Sequence, residues 1–70
     1  MNRQHVTSSN ISAVGYDASG GTLEVEFHDG SIYLYSDVPA SVYRGLLDAP
    51  SKGSYFHAHI RTTYPYRRLR

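Results

Sequence analysis

Thr22–Pro39, TLEVEFHDGSIYLYSDVP, decides how this chain folds. Leu23, Val25 and Phe27 alternate with Glu24 and Glu26, the period of two expected for a strand with one buried face. Asp29-Gly30 is a hairpin signal, because glycine accepts the positive φ that such turns require. Tyr33 and Tyr35 then share one face of a returning strand, and Val38-Pro39 breaks into a helix. Two registers fit. A two-residue turn at Asp29-Gly30 sets Val25 opposite Leu34 and puts both tyrosines beside Glu24 and Glu26. A three-residue loop, His28-Asp29-Gly30, sets Val25 opposite Tyr33 and Leu23 opposite Tyr35. One residue of slip exchanges every side chain between faces. The three-residue loop is the preferred reading, since two tyrosines give a small core volume it needs. It leaves Ile32 and Leu34 on the outer face.

Seventy residues make one small domain, which buries only about 60% of the surface its unfolded chain exposes. With no cysteine, neither a disulfide nor a thiolate metal site is available. MNRQHVTSS at the amino end has no apolar run resembling a secretory signal. No segment approaches the roughly 20 apolar residues of a membrane span. These readings point to the cytoplasm. The net charge is +1, but all acids lie between Asp17 and Asp48. After them come Lys52, Arg61, Arg67, Arg68 and Arg70 without an acid. A neutral mean with a basic end suggests a local anionic contact.

Working outward, residues 1–9 lack periodicity and are expected to be flexible. Ile11–Asp17 reads as a strand in which Gly15 marks a bulge or a close backbone approach. Ala18–Gly21 is its turn into Thr22, so three strands form an antiparallel meander. Asp37 precedes a helix in whose first turn Pro39 is tolerated. Val42, Tyr43, Leu46 and Leu47 form its apolar stripe, and Gly45 among them implies close packing. Pro50 ends it. Ser51 caps a second helix from about Lys52 to Thr62, and residues 67–70 form a basic tail. The expected fold is α+β: a three-stranded antiparallel β-meander followed by two α-helices packed on one face. Its expected core is Val14, Leu23, Val25, Phe27, Val42, Leu46, Phe56 and Ile60.

SSNI at 8–11, GYD at 15–17, LEVEF at 23–27, YLY at 33–35, SKGSYF at 51–56 and YPYRRL at 64–69 resemble the KTSC domain. That family is named for a module at the carboxyl terminus of some lysyl-tRNA synthetases, and it also occurs as small stand-alone bacterial and phage proteins. The resemblance runs from about Ser8 to Leu69, and Tyr33-x-Tyr35 matches the family's central motif. It implies a contact with RNA as the expected role.

The residues themselves offer several chemistries. Arg61, Arg67, Arg68 and Arg70 interleave with Tyr64 and Tyr66, a mix that suits single-stranded RNA through phosphate pairing and base stacking. The plainer reading is a solvated end. Ser51, Lys52, Gly53 and Tyr55, with Tyr33 and Tyr35, form the alternative site. There a helix amino terminus would hold a small anion such as a nucleotide, and self-association into a homo-oligomer would supply extra burial. Its plainer reading is capping. A protein–protein interaction domain is a further alternative. His57-x-His59 does not place two ligands on one helical face, and no histidine has an orienting carboxylate at a recognisable spacing. Hence the expectation is a non-catalytic binding module with no metal, no cofactor and no membrane partner.

Overall fold

The computed structural model describes Arg3–His5 and residues 10–70. Five strands and two helices follow in the order β1 (Arg3–His5), β2 (Ile11–Asp17), β3 (Thr22–Phe27), β4 (Ile32–Tyr35), α1 (Ala40–Asp48), α2 (Lys52–His59) and β5 (Tyr66–Arg68). The strands form one antiparallel sheet in sequence order. The α+β architecture is as expected, with short strands added at both edges. Part of the stretch expected to be flexible is therefore strand: Arg3–His5 pairs with Ala13–Gly15. Its other residues, 1–2 and 6–9, lie outside the described residues. The expected basic tail is likewise no free end. Tyr66, Arg67 and Arg68 pair with Tyr35, Leu34 and Tyr33.

The β3–β4 hairpin takes the three-residue loop. Leu23 faces Tyr35 and Val25 faces Tyr33, and Phe27 N–H donates to Ser31 O at 2.9 Å. Gly30 has φ 90°, which a side chain would strain. Asp29 Oδ1 accepts from Ser31 N–H at 2.9 Å and from Ser31 Oγ at 2.6 Å, closing the turn with its own side chain. The outer face is less bare than the alternation suggests. Ile32 is 6% exposed, in the row that Arg70 O joins by accepting from Ile32 N–H at 3.0 Å.

On the inner face, Ile11, Val14, Leu23, Val25 and Tyr35 meet Val38, Leu46, Phe56 and Ile60 in one buried cluster. Phe27 and Val42, expected in that core, pack against it half-buried. Ile11, Tyr35 and Val38 join instead. Tyr16 stacks on Tyr43 of α1, with ring centres 4.8 Å apart, and its hydroxyl donates to Val38 O. Val38 N–H in turn donates to Gly21 O at 2.8 Å, so the β2–β3 turn braces the entry to α1. The bulge falls between Ile11 and Ala13, not at Gly15. It lets Ile11, three residues before Val14, reach the same face.

Pro39 stands at the N-cap of α1, one position before the helix, and no acid lies in the first turn. Asp37, two residues before Pro39, takes φ 61° where the chain turns toward the helix. A Cβ at Gly45 would overlap the Tyr55 hydroxyl and lie 2.8 Å from its Cζ, so the missing side chain is what lets α2 approach α1. The second helix stops at His59, three residues short of Thr62. Ile60 and Arg61 N–H both donate to Phe56 O at 2.9 Å, and the chain then turns toward β5.

Leu46 is wholly buried at the centre of the helix–sheet contact. Leu46→Ala should cost about 2–5 kcal/mol, comparable with the stability of so small a domain. Urea titration checks this, and a wild-type midpoint would remove Leu46 from the supporting core.

Candidate nucleic-acid interface

The hairpin register puts Tyr33 and Tyr35 on the helix side, away from Glu24 and Glu26, which pair with Leu34 and Ile32 on the outer face. β5 then lays Tyr66 beside Tyr35 and Arg68 beside Tyr33. The rings of Tyr33 and Tyr66 lie 5.7 Å apart, those of Tyr35 and Tyr66 5.4 Å, and those of Tyr33 and Tyr35 6.4 Å. Phe56 meets Tyr35 edge-on at 5.4 Å. Tyr35 is the buried base of this cluster and Tyr66 its exposed lip, at 3% and 57% exposure.

Above the tyrosines is an open cleft of about 1230 Å³. Gly53, Phe56 and His57 of α2 form one wall, and Arg61, Thr62, Tyr64 and Pro65 continue it past the helix. Asn10, His28 and Asp29 close the far end. The Arg61 guanidinium donates to His57 Nδ1 at 3.2 Å. A guanidinium can only donate, so His57 accepts there and carries its proton on Nε2. Arg68 lies over Tyr33, its Cζ 5.9 Å from the ring centre, and its Nε donates to Arg70 O at 3.1 Å. Two guanidinium groups thus flank an aromatic floor, the combination that binds a phosphate beside a stacked base.

Of the residues singled out in the sequence, Arg61, Tyr64 and Tyr66 come together with Tyr33, Tyr35 and Gly53. Parts of both candidate sites therefore share one cleft. Arg67 and Arg70 are set apart. Strand alternation sends Arg67 to the opposite face from Arg68. Arg70 lies 3.8 Å from Glu26 in an ion pair, and its Nε donates to Gly30 O at 3.4 Å. The remaining members of the anion-site set do structural work. Ser51 Oγ accepts from Ser54 N–H at 3.3 Å as a plain helix cap. Lys52 Nζ donates to Ala49 O at 3.2 Å. Tyr55 packs on His59, ring centres 4.5 Å apart, and against Gly45. Sequence reasoning missed Asn10, His28, His57 and Asp29 as cleft residues, because only the fold brings the hairpin tip to α2. No group of three or more metal-ligating side chains occurs among the described residues.

The family model of the KTSC domain matches residues 7–64, and the chain belongs to that family. A lysine–tRNA ligase from Nostoc is 46% identical over 84% of this chain, which spans 10% of that enzyme's length. An uncharacterised protein from Stutzerimonas stutzeri is 42% identical, over 81% of this chain and 80% of the relative. The crystal structure of a KTSC domain protein from Yersinia pestis superposes with a TM-score of 0.93 at 34% identity, covering 99% of this chain and 97% of that one. This fold is thus a small module found both within lysyl-tRNA synthetases and in relatives of its own size. No helix among the described residues is long and apolar enough to cross a membrane.

Burial pushes the Tyr35 hydroxyl up to about 12, with Tyr33 and Tyr66 raising it further. Unfolded, the same phenol ionises near 10. Above that pH the unfolded chain binds fewer protons than the folded one, so stability is whole below pH 10 and falls as pH rises toward 12. Tyr35→Phe should remove part of this decline. Denaturant midpoints between pH 9 and 12 will show it, and an unchanged slope would mean that Tyr35 ionises freely in the fold.

Proposed function

We propose that this domain is a non-catalytic cytoplasmic module that holds single-stranded RNA weakly in the tyrosine cleft. The observation that carries the reading is the meeting of Tyr33, Tyr66 and Arg61 in one open cleft, with Arg68 over the Tyr33 ring. A base stacks on the exposed tyrosine faces, and phosphates pair with the guanidinium groups. The occurrence of similar sequences within proteins named lysine–tRNA ligase supports an RNA ligand over other anions. A small anionic ligand such as a nucleotide is the second reading, favoured by the lining of Tyr33, Tyr35 and Gly53 in the same cleft.

Four arginines, each neutralising a phosphate, would give a slope of log K against log salt near −3 at about −0.7 per contact. Arg70 is engaged with Glu26 and Arg67 faces away from the cleft, which leaves two and a slope of about −1.4. Raising salt from about 50 to 200 mM should then weaken binding roughly sevenfold. Arg61→Ala should flatten the slope by about 0.7. Tyr66→Ala should cost about 1–3 kcal/mol of binding with the slope nearly unchanged. Fluorescence anisotropy with labelled single-stranded RNA measures both. Absence of binding at 50 mM salt, or indifference to Arg61, would refute an RNA role for the cleft.

A further inference from the structure

A second, smaller groove lies behind the lip of the cleft. Thr22, Leu34, Ser36, Pro65, Tyr66 and Arg67 line it, enclosing about 390 Å³. Pro65 and Tyr66 line both hollows. They form a ridge at the sheet edge, with Arg61 and Arg68 on its inner side and Arg67 on its outer side. The Arg67 side chain has no hydrogen-bond or ion-pair partner among the described residues. Arg68 and Arg70, by contrast, are tied by Arg70 O and Glu26. Tyr66 is the most exposed large apolar side chain of the described residues, at the crest.

We infer that the ligand is an oligonucleotide of at least two residues that straddles the Tyr66 ridge. One base lies in the cleft against Tyr33 and Tyr66, and the backbone crosses Pro65–Tyr66. The next phosphate pairs with Arg67 in the outer groove. This rests on the RNA reading of the cleft and adds its minimum length and its path. The chemistry favours a chain over a mononucleotide. Arginines on opposite faces of one strand cannot converge on a single phosphate, whereas consecutive phosphates of a flexible single strand reach both. Glu24 stands opposite Leu34 on the outer face, so the groove holds one phosphate at Arg67 and does not extend as a basic track.

The test compares adenosine 5′-monophosphate with 5′-phosphorylated di- and triadenylate, and the matching uridylates, by isothermal titration at low salt. The dinucleotide should bind about tenfold more tightly than the monophosphate, the worth of one charge-assisted contact, and the third residue should add less than the second. Arg67→Ala should return the dinucleotide to the affinity of the monophosphate and leave the monophosphate unchanged. Arg61→Ala should weaken both. Monophosphate and dinucleotide binding equally, or a dinucleotide indifferent to Arg67, would overturn the path while leaving the cleft as a nucleotide site. Binding of neither series would overturn the path together with the RNA reading. A thermal melt of each variant confirms that the fold is kept.

Discussion

The opposition of Leu23 to Tyr35 and of Val25 to Tyr33 is the constraint on which the rest depends. Slipped by one residue, the hairpin would turn both tyrosines out beside two glutamates and bring Ile32 and Leu34 in their place, leaving no tyrosine ring under Phe56. In its actual register Tyr35 fills the space under Phe56, and Tyr33 remains half-buried, with a ring available to a ligand. One side chain completes the core while its neighbour two positions earlier floors the site. Gly30 at φ 90° and the Asp29–Ser31 hydrogen bonds enforce this choice locally, before any long-range contact is needed.

The alternating strands, the Asp29-Gly30 turn and the stripe of α1 were legible because each is a periodic or positional signal within a few residues. The edge strands were not. Arg3–His5 and Tyr66–Arg68 are three residues each, too short to show a period, and they form because the open edges of β2 and β4 offer unpaired backbone groups. Val38 escaped the expected core for a related reason. Its burial comes from Tyr16 and Gly21, which grip its backbone across the domain, and nothing adjacent in sequence announces that. Gly45 was readable as a close approach, but only the packing names Tyr55 as the partner.

The candidate site divides in the same way. Residue types that bind single strands were visible as a basic, tyrosine-rich end, and the paired tyrosines of β4 were visible as a motif. That they belong to one cleft was hidden, because β5 returns to β4 after two intervening helices. The same return splits the arginines, since alternation along β5 sends successive side chains to opposite faces. A linear count of four cations therefore overstates what one surface can present. Gly53 stayed with the cleft, while Ser51 and Lys52 were drawn into capping.

The route of the chain into β5 also bears on how the domain assembles. The strands from β1 to β4 join neighbours through short connections and can zip locally. Pairing of Tyr66 with Tyr35, by contrast, closes a loop that contains both helices. Its closure entropy must be met before the contact repays it. All three residues of β5 are exposed, so the strand buries little on docking and belongs to the least protected part of the sheet. The lip of the cleft is thus held by less burial than the β2–β4 meander. Hydrogen exchange at Leu69, whose N–H donates to Ile32 O, and at Ser36, whose N–H donates to Pro65 O, should run ahead of that at Leu23 and Val25, and a ligand seated on Tyr66 would slow it by holding the strand in place.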